Sequence, residues 1–402
     1  MTQSFRTLTI GESLGYLGGL EQYVFQVASV LRDRGHKHWL LYERTTGNGE
    51  ENYKSVFEDT APIPPAGDVA FYRKFVEELC AKWQPDIALL HKTRNTPFLE
   101  ALIERVPTIT INQDHFIYCL REARYFPVNR AICTLPLSWR CVAYGCFLGR
   151  PLRHGFIPKF QSLSARRRML NAQRRAHRAM VLSEHMKSEL VLNGFSPDRI
   201  DVVPGFTRVP KTEFPPVSDD SDVILFVGQV IRSKGLDLLL KAMKILKHPA
   251  RLKVIGKGSA LEANKALAGE LGISDRVDFL GWIPHEALDK YFEDAAVVVV
   301  PSVWAEPFCL VGIEAMARSR PVVAFKVGGI PQWLEDGKTG LIAREVSAEA
   351  LAESIDTLLG DRDLARKIGA CGRKRAMEEF SSEVAGERIE NAIIRTIAPA
   401  KS

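Results

Sequence analysis

Short β-branched apolar runs alternate with stretches of helical periodicity along almost the whole chain, and this alternation constrains the fold more than any other feature. LTIGES leads through GYLGG into LEQYVFQVASVLRDRGH, and KHWLLYE follows. WQPDIALLHK and VPTITINQDH supply two more strands, then AMVLS, the helix EHMKSELVLNGF and the strand RIDVVPG. The segment TRVPKTEFPPVSDDSD reads as a linker from its prolines, serines and acids. Beyond it VILFVG, RLKVIG, RVDFLGW, AAVVVVPS, PVVAFK and GLIA read as strands, with LDLLLKAMKILK, SALEANKALAGELG, HEALDKYFEDA and FCLVGIEAMARS as the helices between them. Near-continuous apolar strands separated by helices predict parallel sheets covered on both faces. At 402 residues the chain is too long for one core. The expectation is an α/β protein with a doubly wound, Rossmann-like domain over 1–208, a second over 209–380, and a final helix over 381–402 able to cross back to the first. Open α/β sheets bind ligands at the carboxyl ends of their strands, so the site is expected in a cleft where the two sheets face each other.

The balance of 46% hydrophobic and 25% charged residues is that of a globular chain rather than a disordered one. The start MTQSFRTLTIGES reads as a buried strand, not a signal peptide. The longest apolar run, AAVVVV, falls far short of the roughly 18 residues that cross a bilayer. A cytoplasmic location is expected, with any membrane contact peripheral and on the inner face. Net charge is +6, and the excess concentrates in an expected Cys- and Arg-rich insertion at about 116–178. There Arg121, Arg124, Arg130, Arg140, Arg150, Arg153, Lys159, Arg166, Arg167, Arg168, Arg174, Arg175 and Arg178 face only Glu122. A solvated helix face and an anionic membrane surface or phosphorylated lipid acceptor both fit this charge. Nucleic acid is not expected, because no binding module accompanies it. Cys119, Cys133, Cys141 and Cys146 lie in the same region without a CxxC spacing, so free thiols are favoured over a metal site.

The densest chemistry lies in VVVVPSVWAEPFCLVGIEAMARSRPVVA, where Glu306 and Glu314 are separated by seven residues across a strand-to-helix turn. The N–H groups of Phe308, Cys309 and Leu310 at the helix start suit an anion or hydroxyl. Glu314 can accept from a ribose diol, and Glu306 can reach sugar hydroxyls. In FVGQVIRSKG, Arg232 and Lys234 follow a strand end where a diphosphate would meet them; two solvated loop cations are the alternative. Gly18 and Gly19 open the first helix, where a missing Cβ admits a ligand to the backbone. GKGSAL matches half a dinucleotide fingerprint and lacks its third glycine, so no nicotinamide cofactor is expected.

This stretch resembles the Glu-x7-Glu signature of glycosyltransferase family 4, a retaining family with the GT-B fold of two Rossmann-like domains. GGLEQYVFQVASVLRDRGH, VLSEHMKSEL, FVGQVIRSKG, VIGKG, FLGWIPHEAL and FKVGGIPQWLEDGKTGLIA are similar to family blocks, in family order. The resemblance implies hexose transfer with retention, without a metal or cofactor, from a nucleotide-diphosphate sugar to a glycan, lipid-linked or small-molecule acceptor. UDP-sugars are favoured over GDP-sugars. It implies that the second domain holds the donor through Arg232, Lys234, Gly256, Ile283, Glu306, Phe308, Cys309, Leu310 and Glu314, with Gly18 and Gly19 touching donor phosphates or acceptor. His115, Lys234 and Glu306 are the implied catalytic residues. Two departures stand out: Gln229 replaces a usual arginine, and Gln113 precedes Asp114 where a histidine is usual, leaving His115 in a shifted position or as a strand cap. These departures keep open a catalytically silent nucleotide-sugar binder; another GT-B enzyme such as a nucleotide-sugar epimerase is a further alternative. The sequence leaves oligomeric state open.

Overall fold

The computed structural model describes residues 4–126, 130–148, 160–210 and 213–398. The chain divides into two compact units: Met1–Glu122 with Thr134–Val203 and Ala385–Ser402, and Pro204–Val384 with Ala123–Cys133. The division falls at 203/204 rather than 208/209, and residues 123–133, from within the expected insertion, count with the second unit.

The first unit is built on seven parallel strands: β1 (Arg6–Leu14), β2 (Lys37–Thr45), β3 (Asp59–Pro62), β4 (Ile87–Leu90), β5 (Thr108–Asn112), β6 (Arg178–Val181) and β7 (Ile200–Val202), in the order β3-β2-β1-β4-β5-β6-β7. All of β1 after Arg6 is buried, which is why RTLTIGESL lacks the polar alternation of a half-exposed strand. Ile10 registers with Leu41 on one side and Leu90 on the other, and the strand order reverses between β1 and β4. Strand β3 was not expected from the sequence: its residues DTAP have little β-propensity, and it forms a partly exposed edge ending on Pro62. The helices begin where side chains satisfy their first N–H groups, Asp68 accepting from Phe71 N, Asn95 from Phe98 N and Ser183 from Met186 N. The last helix, Ser382–Ile397, carries Glu390, whose carboxylate accepts from Arg34 Nε at 2.8 Å and Nη2 at 2.6 Å and lies 2.8 Å from His36 Nε2.

The second unit has six parallel strands: β8 (Val223–Val227), β9 (Arg251–Ile255), β10 (Val277–Gly281), β11 (Ala295–Val300), β12 (Val322–Phe325) and β13 (Leu341–Ala343), ordered β10-β9-β8-β11-β12-β13. AAVVVV, wholly buried, is the inner strand β11, and the order reverses between β8 and β11. The segment read as a linker is strapped to this unit by buried or half-buried arginines: Arg320 donates to Pro215 O, Arg366 Nε to Val217 O at 2.9 Å and Arg362 Nη2 to Ser221 O at 2.5 Å. Lys211 and Thr212 of that segment lie outside the described residues.

The basic segment changes character in three dimensions. Arg130 pairs with Asp237 at 2.6 Å, Arg175 with Glu100 at 2.9 Å and Arg178 with Asp201 at 2.7 Å, acids remote in sequence. Arg124 and Arg166 are buried; Arg166 donates to Phe116 O and pairs with Glu122 at 3.4 Å. The expectation that all thirteen cations build one solvent field is therefore corrected, with Arg150, Arg153 and Lys159 outside the described residues. None of the seven cysteines is joined in a disulfide. Among the described residues no helix is long and apolar enough to cross a membrane.

Candidate functional site

In the second unit the chemistry gathers at the carboxyl ends of β8 and β11, where the strand order reverses. After β8 the chain forms a 3-10 turn, Arg232–Lys234, closed by Gly235 at φ +68°, and helix Leu236–Ile245 follows. A Cβ at residue 235 would lie 1.9 Å from Pro301 O, so only glycine lets this turn settle on the loop after β11. Val303 N donates to Ser233 O at 2.9 Å and locks the two loops together. The result is that Lys234 Nζ donates to Glu306 Oε1 at 2.6 Å and lies 5.5 Å from the centre of the Trp304 ring. Ser302 Oγ donates to the same carboxylate oxygen at 2.5 Å. Gly328, at φ +54°, wraps the Glu306 backbone so closely that a Cβ would meet Glu306 O at 2.2 Å, and Gly329 N donates to that carbonyl at 2.7 Å. Burial pulls the Lys234 ammonium down, but the charge and hydrogen bond of Glu306 together with Cys309 outweigh it, and the pKa stands above the ordinary lysine value.

Cys309 precedes helix Leu310–Ala317 in a left-handed conformation, φ +74°. Burial, reinforced by Glu306, pushes its thiol up to about 12, so it is protonated and no nucleophile. The Phe308 ring is packed against Phe380 at 5.7 Å, and Phe308 O accepts from Trp333 Nε1 at 2.5 Å, which fixes the entrance to the helix. Glu314 lies inside that helix with Oε1 3.1 Å from His285 Nε2. The hydrogen bond with Glu314 holds His285 above the ordinary imidazole value against the pull of burial. Sequence reasoning missed His285, although it stands in FLGWIPHEAL two residues after the half-buried Ile283. Arg232 is exposed at the start of the turn that ends on Lys234. Gly256 follows β9 and donates through its N–H to Gly281 O at 2.7 Å, so backbone, not side chain, lines that part of the strand ends.

In the first unit Gly18 caps helix Gly19–Asp33, and a Cβ at Gly19 would meet nothing within 4 Å. His91 and Lys92 follow β4. Lys92 Nζ donates to Asp114 Oδ2 at 2.7 Å and lies 3.6 Å from Glu12, which also pairs with Arg94 at 3.0 Å. Burial raises the Asp114 carboxyl, but Lys92 more than offsets it and the net direction is downward. His115 is wholly buried, with Nδ1 2.8 Å from the Tyr118 hydroxyl. Gln113, two residues earlier, reaches the neighbouring strand end, where its Nε2 lies 2.6 Å from His91 Nδ1. Burial pushes His91 down to about 3, so its imidazole is neutral. Its buried Nε2 has no hydrogen-bond partner among the described residues. His91 was missed although WQPDIALLHK carries it; the residue after the strand was the available signal.

Comparison with known proteins bears on both units. Residues 17–208 match the family "Glycosyltransferase Family 4" and residues 210–375 match "Glycosyl transferases group 1". This chain belongs to glycosyltransferase family 4. Relatives include an uncharacterized glycosyltransferase of Methanocaldococcus jannaschii, 34% identical over 200 residues, 48% of this chain and 50% of that one. A D-inositol 3-phosphate glycosyltransferase of Nocardia farcinica is 36% identical over 207 residues, 46% of each chain. A Mycolicibacterium smegmatis relative named as a GDP-mannose-dependent phosphatidylinositol monomannoside mannosyltransferase is 30% identical over 179 residues, 42% of this chain and 47% of that one. The alignments span about half the length of these curated relatives. Similarity of fold runs further. Anabaena HepE, solved with UDP and glucose, superposes with a TM-score of 0.75 at 18% identity over 97% of this chain and all of that one. A Rickettsia africae glycosyltransferase gives 0.75 at 17% over 99% and 100%. The two α/β units of this family 4 member thus make up a GT-B fold.

Proposed function

We propose that this family 4 member transfers a hexose from a nucleotide-diphosphate sugar to a glycan, lipid-linked or small-molecule acceptor, with retention of configuration and without a metal. The observation that carries the reading is the Lys234–Glu306 pair at the β8/β11 reversal, with Glu314 on the adjoining helix. Lys234 offers a fixed cation to the diphosphate as its charge develops, the role a divalent ion plays elsewhere. Glu314 accepts ribose hydroxyls, with His285 orienting its carboxylate. Glu306 shares its carboxylate with Lys234 and Ser302. Two carboxylates flanking the sugar would suit a nucleophilic mechanism; a carboxylate so engaged suits sugar hydroxyls instead, and the departing phosphate takes the acceptor proton. UDP is favoured as the nucleotide, supported by HepE with UDP, while the mycobacterial relative's name points to GDP. Of the two strand-end histidines, His91 is favoured over His115 for contact near the transferred sugar, because its Nε2 still needs a partner. A cytoplasmic enzyme, peripheral on the inner face of an anionic membrane and acting on a lipid-linked acceptor, belongs to the same reading.

Released nucleotide measured across UDP- and GDP-sugars with and without acceptor, with chelator present, tests the proposal. Acceptor-dependent release and an axial-to-axial anomeric outcome by proton NMR support it; binding without any release favours a silent member, the reading that Gln113 and Gln229 keep alive.

A further inference from the structure

We propose that residues 139–148 and Phe160 form a docking surface that seats in the interfacial zone of an anionic lipid bilayer, an inference resting on the peripheral-membrane reading above. Its starting point is an anomaly of burial. Trp139 is 67% exposed, Tyr144 58% and Phe160 67%, with Val142 and Leu148 also exposed. Monomeric chains seldom leave several large aromatic side chains in water on one short stretch.

Local geometry keeps these side chains outward. Trp139 starts a four-residue helix, Arg140–Ala143, whose N-terminal turns close through Val142 N to Trp139 O at 2.9 Å and Tyr144 N to Arg140 O at 2.9 Å. Cys146 N then donates to Cys141 O at 2.8 Å, folding residues 138–148 into consecutive turns too small to bury their own apolar groups. Leu148 pairs with Phe160 across an antiparallel bridge, and Phe160 stacks on Phe147 at 6.2 Å. Phe147 and Phe160 are thus held together. Residues 149–159 lie outside the described residues.

Charge decides the occupant. From Ala123 to Ser183 the sequence holds no Asp or Glu. Arg140 is exposed within the patch, and Arg167 and Arg168 are exposed on helix Leu163–Arg174, whose Met169, Leu170 and Ala172 are buried. Exposed Trp and Tyr beside unopposed arginine match the headgroup region, where amphipathic rings sit at the boundary and cations meet anionic lipid. A second copy of the chain would bring like charges together. Arg166 and Arg178, engaged inside the fold, and Arg175, exposed but paired with Glu100, are excluded from the surface.

The test is cosedimentation of the full chain with phosphatidylglycerol-containing and pure phosphatidylcholine vesicles at low and high salt. Wild type should bind the anionic vesicles at low salt and retain part of that binding at high salt, because the aromatic contribution is not screened. The triple variant Trp139→Ser, Tyr144→Ser, Phe160→Ser should partition about tenfold less at both salts, while its thermal unfolding and UDP stabilisation stay at wild-type values. Arg140→Gln with Arg167→Gln and Arg168→Gln should remove only the salt-sensitive part. Wild-type binding by the folded triple variant overturns this surface and leaves the peripheral reading standing. No binding by wild type overturns both. Loss of self-association without loss of vesicle binding in the triple variant assigns the patch to a second copy and overturns the proposal.

Discussion

Lys234 and Glu306 hold each other in a setting where neither can be removed without exposing the other. Replacing Lys234 with Ala leaves a buried carboxylate with Ser302 as its hydroxyl donor, so the variant should lose about 3 kcal/mol of stability. Turnover should fall by about 2–4 kcal/mol in the barrier, read as initial rates of nucleotide release. Wild-type rates in the folded variant would remove Lys234 from the leaving-group role. Glu314→Gln acts earlier in the cycle. It should weaken UDP binding by about 1.5–3 kcal/mol in a calorimetric titration and change the maximal rate less. The two strand-end histidines should separate by readout. His91→Ala should lower sugar transfer with UDP affinity kept, whereas His115→Ala, which deletes a wholly buried ring bonded to Tyr118, should chiefly lower the unfolding temperature. The reverse pattern returns the role to His115. Lys234, Glu306 and Glu314 were legible because they lie in short motifs with fixed places on strand ends and one helix. His91 and His285 were less so: each takes its meaning from a partner 22 or 29 residues away, which only the packed sheet brings near.

Elements were read more completely than partners. All six strands of the second unit and the apolar strands of the first stand where the sequence puts them, since buried parallel strands announce themselves as uninterrupted apolar runs. DTAP escaped because an edge strand needs neither apolar character nor high propensity. The strapped segment before β8 escaped for a different reason: its order comes from Arg320, Arg362 and Arg366, all more than a hundred residues later. Helix Leu310–Ala317 shows how an element positions the site. Gly312 lies under the Trp333 ring, where a Cβ would approach within 2.1 Å, and the same indole holds Phe308 O. Gly312→Val should therefore displace the helix that carries Glu314, costing about 1–3 kcal/mol of stability and weakening UDP binding. Tight UDP binding by this variant would show that the helix position does not govern the donor site.

On the scale of the whole molecule, the chain returns at its end to the first unit, where Glu390 meets Arg34 and His36. The Arg34 hydrogen bond, against a smaller opposing effect of burial, holds the Glu390 carboxyl below its ordinary 4.5. A lowered carboxyl pKa contributes stability that is complete above about 4.5 and is lost as pH falls through the folded value. Glu390→Gln should accordingly unfold at a lower temperature than wild type at neutral pH, with the gap closing below about pH 4.5. A gap independent of pH would contradict the pairing. The most direct measurement for the donor reading is thermal unfolding of the purified chain against UDP, GDP and their sugars. At one hundred times its dissociation constant a bound nucleotide adds about 2.7 kcal/mol. Wild type should be stabilised by a nucleoside diphosphate, and Glu314→Gln should lose most of that stabilisation. If no nucleoside diphosphate or nucleotide sugar raises the unfolding temperature of the wild-type chain, the Lys234, Glu306 and Glu314 site is not a donor site.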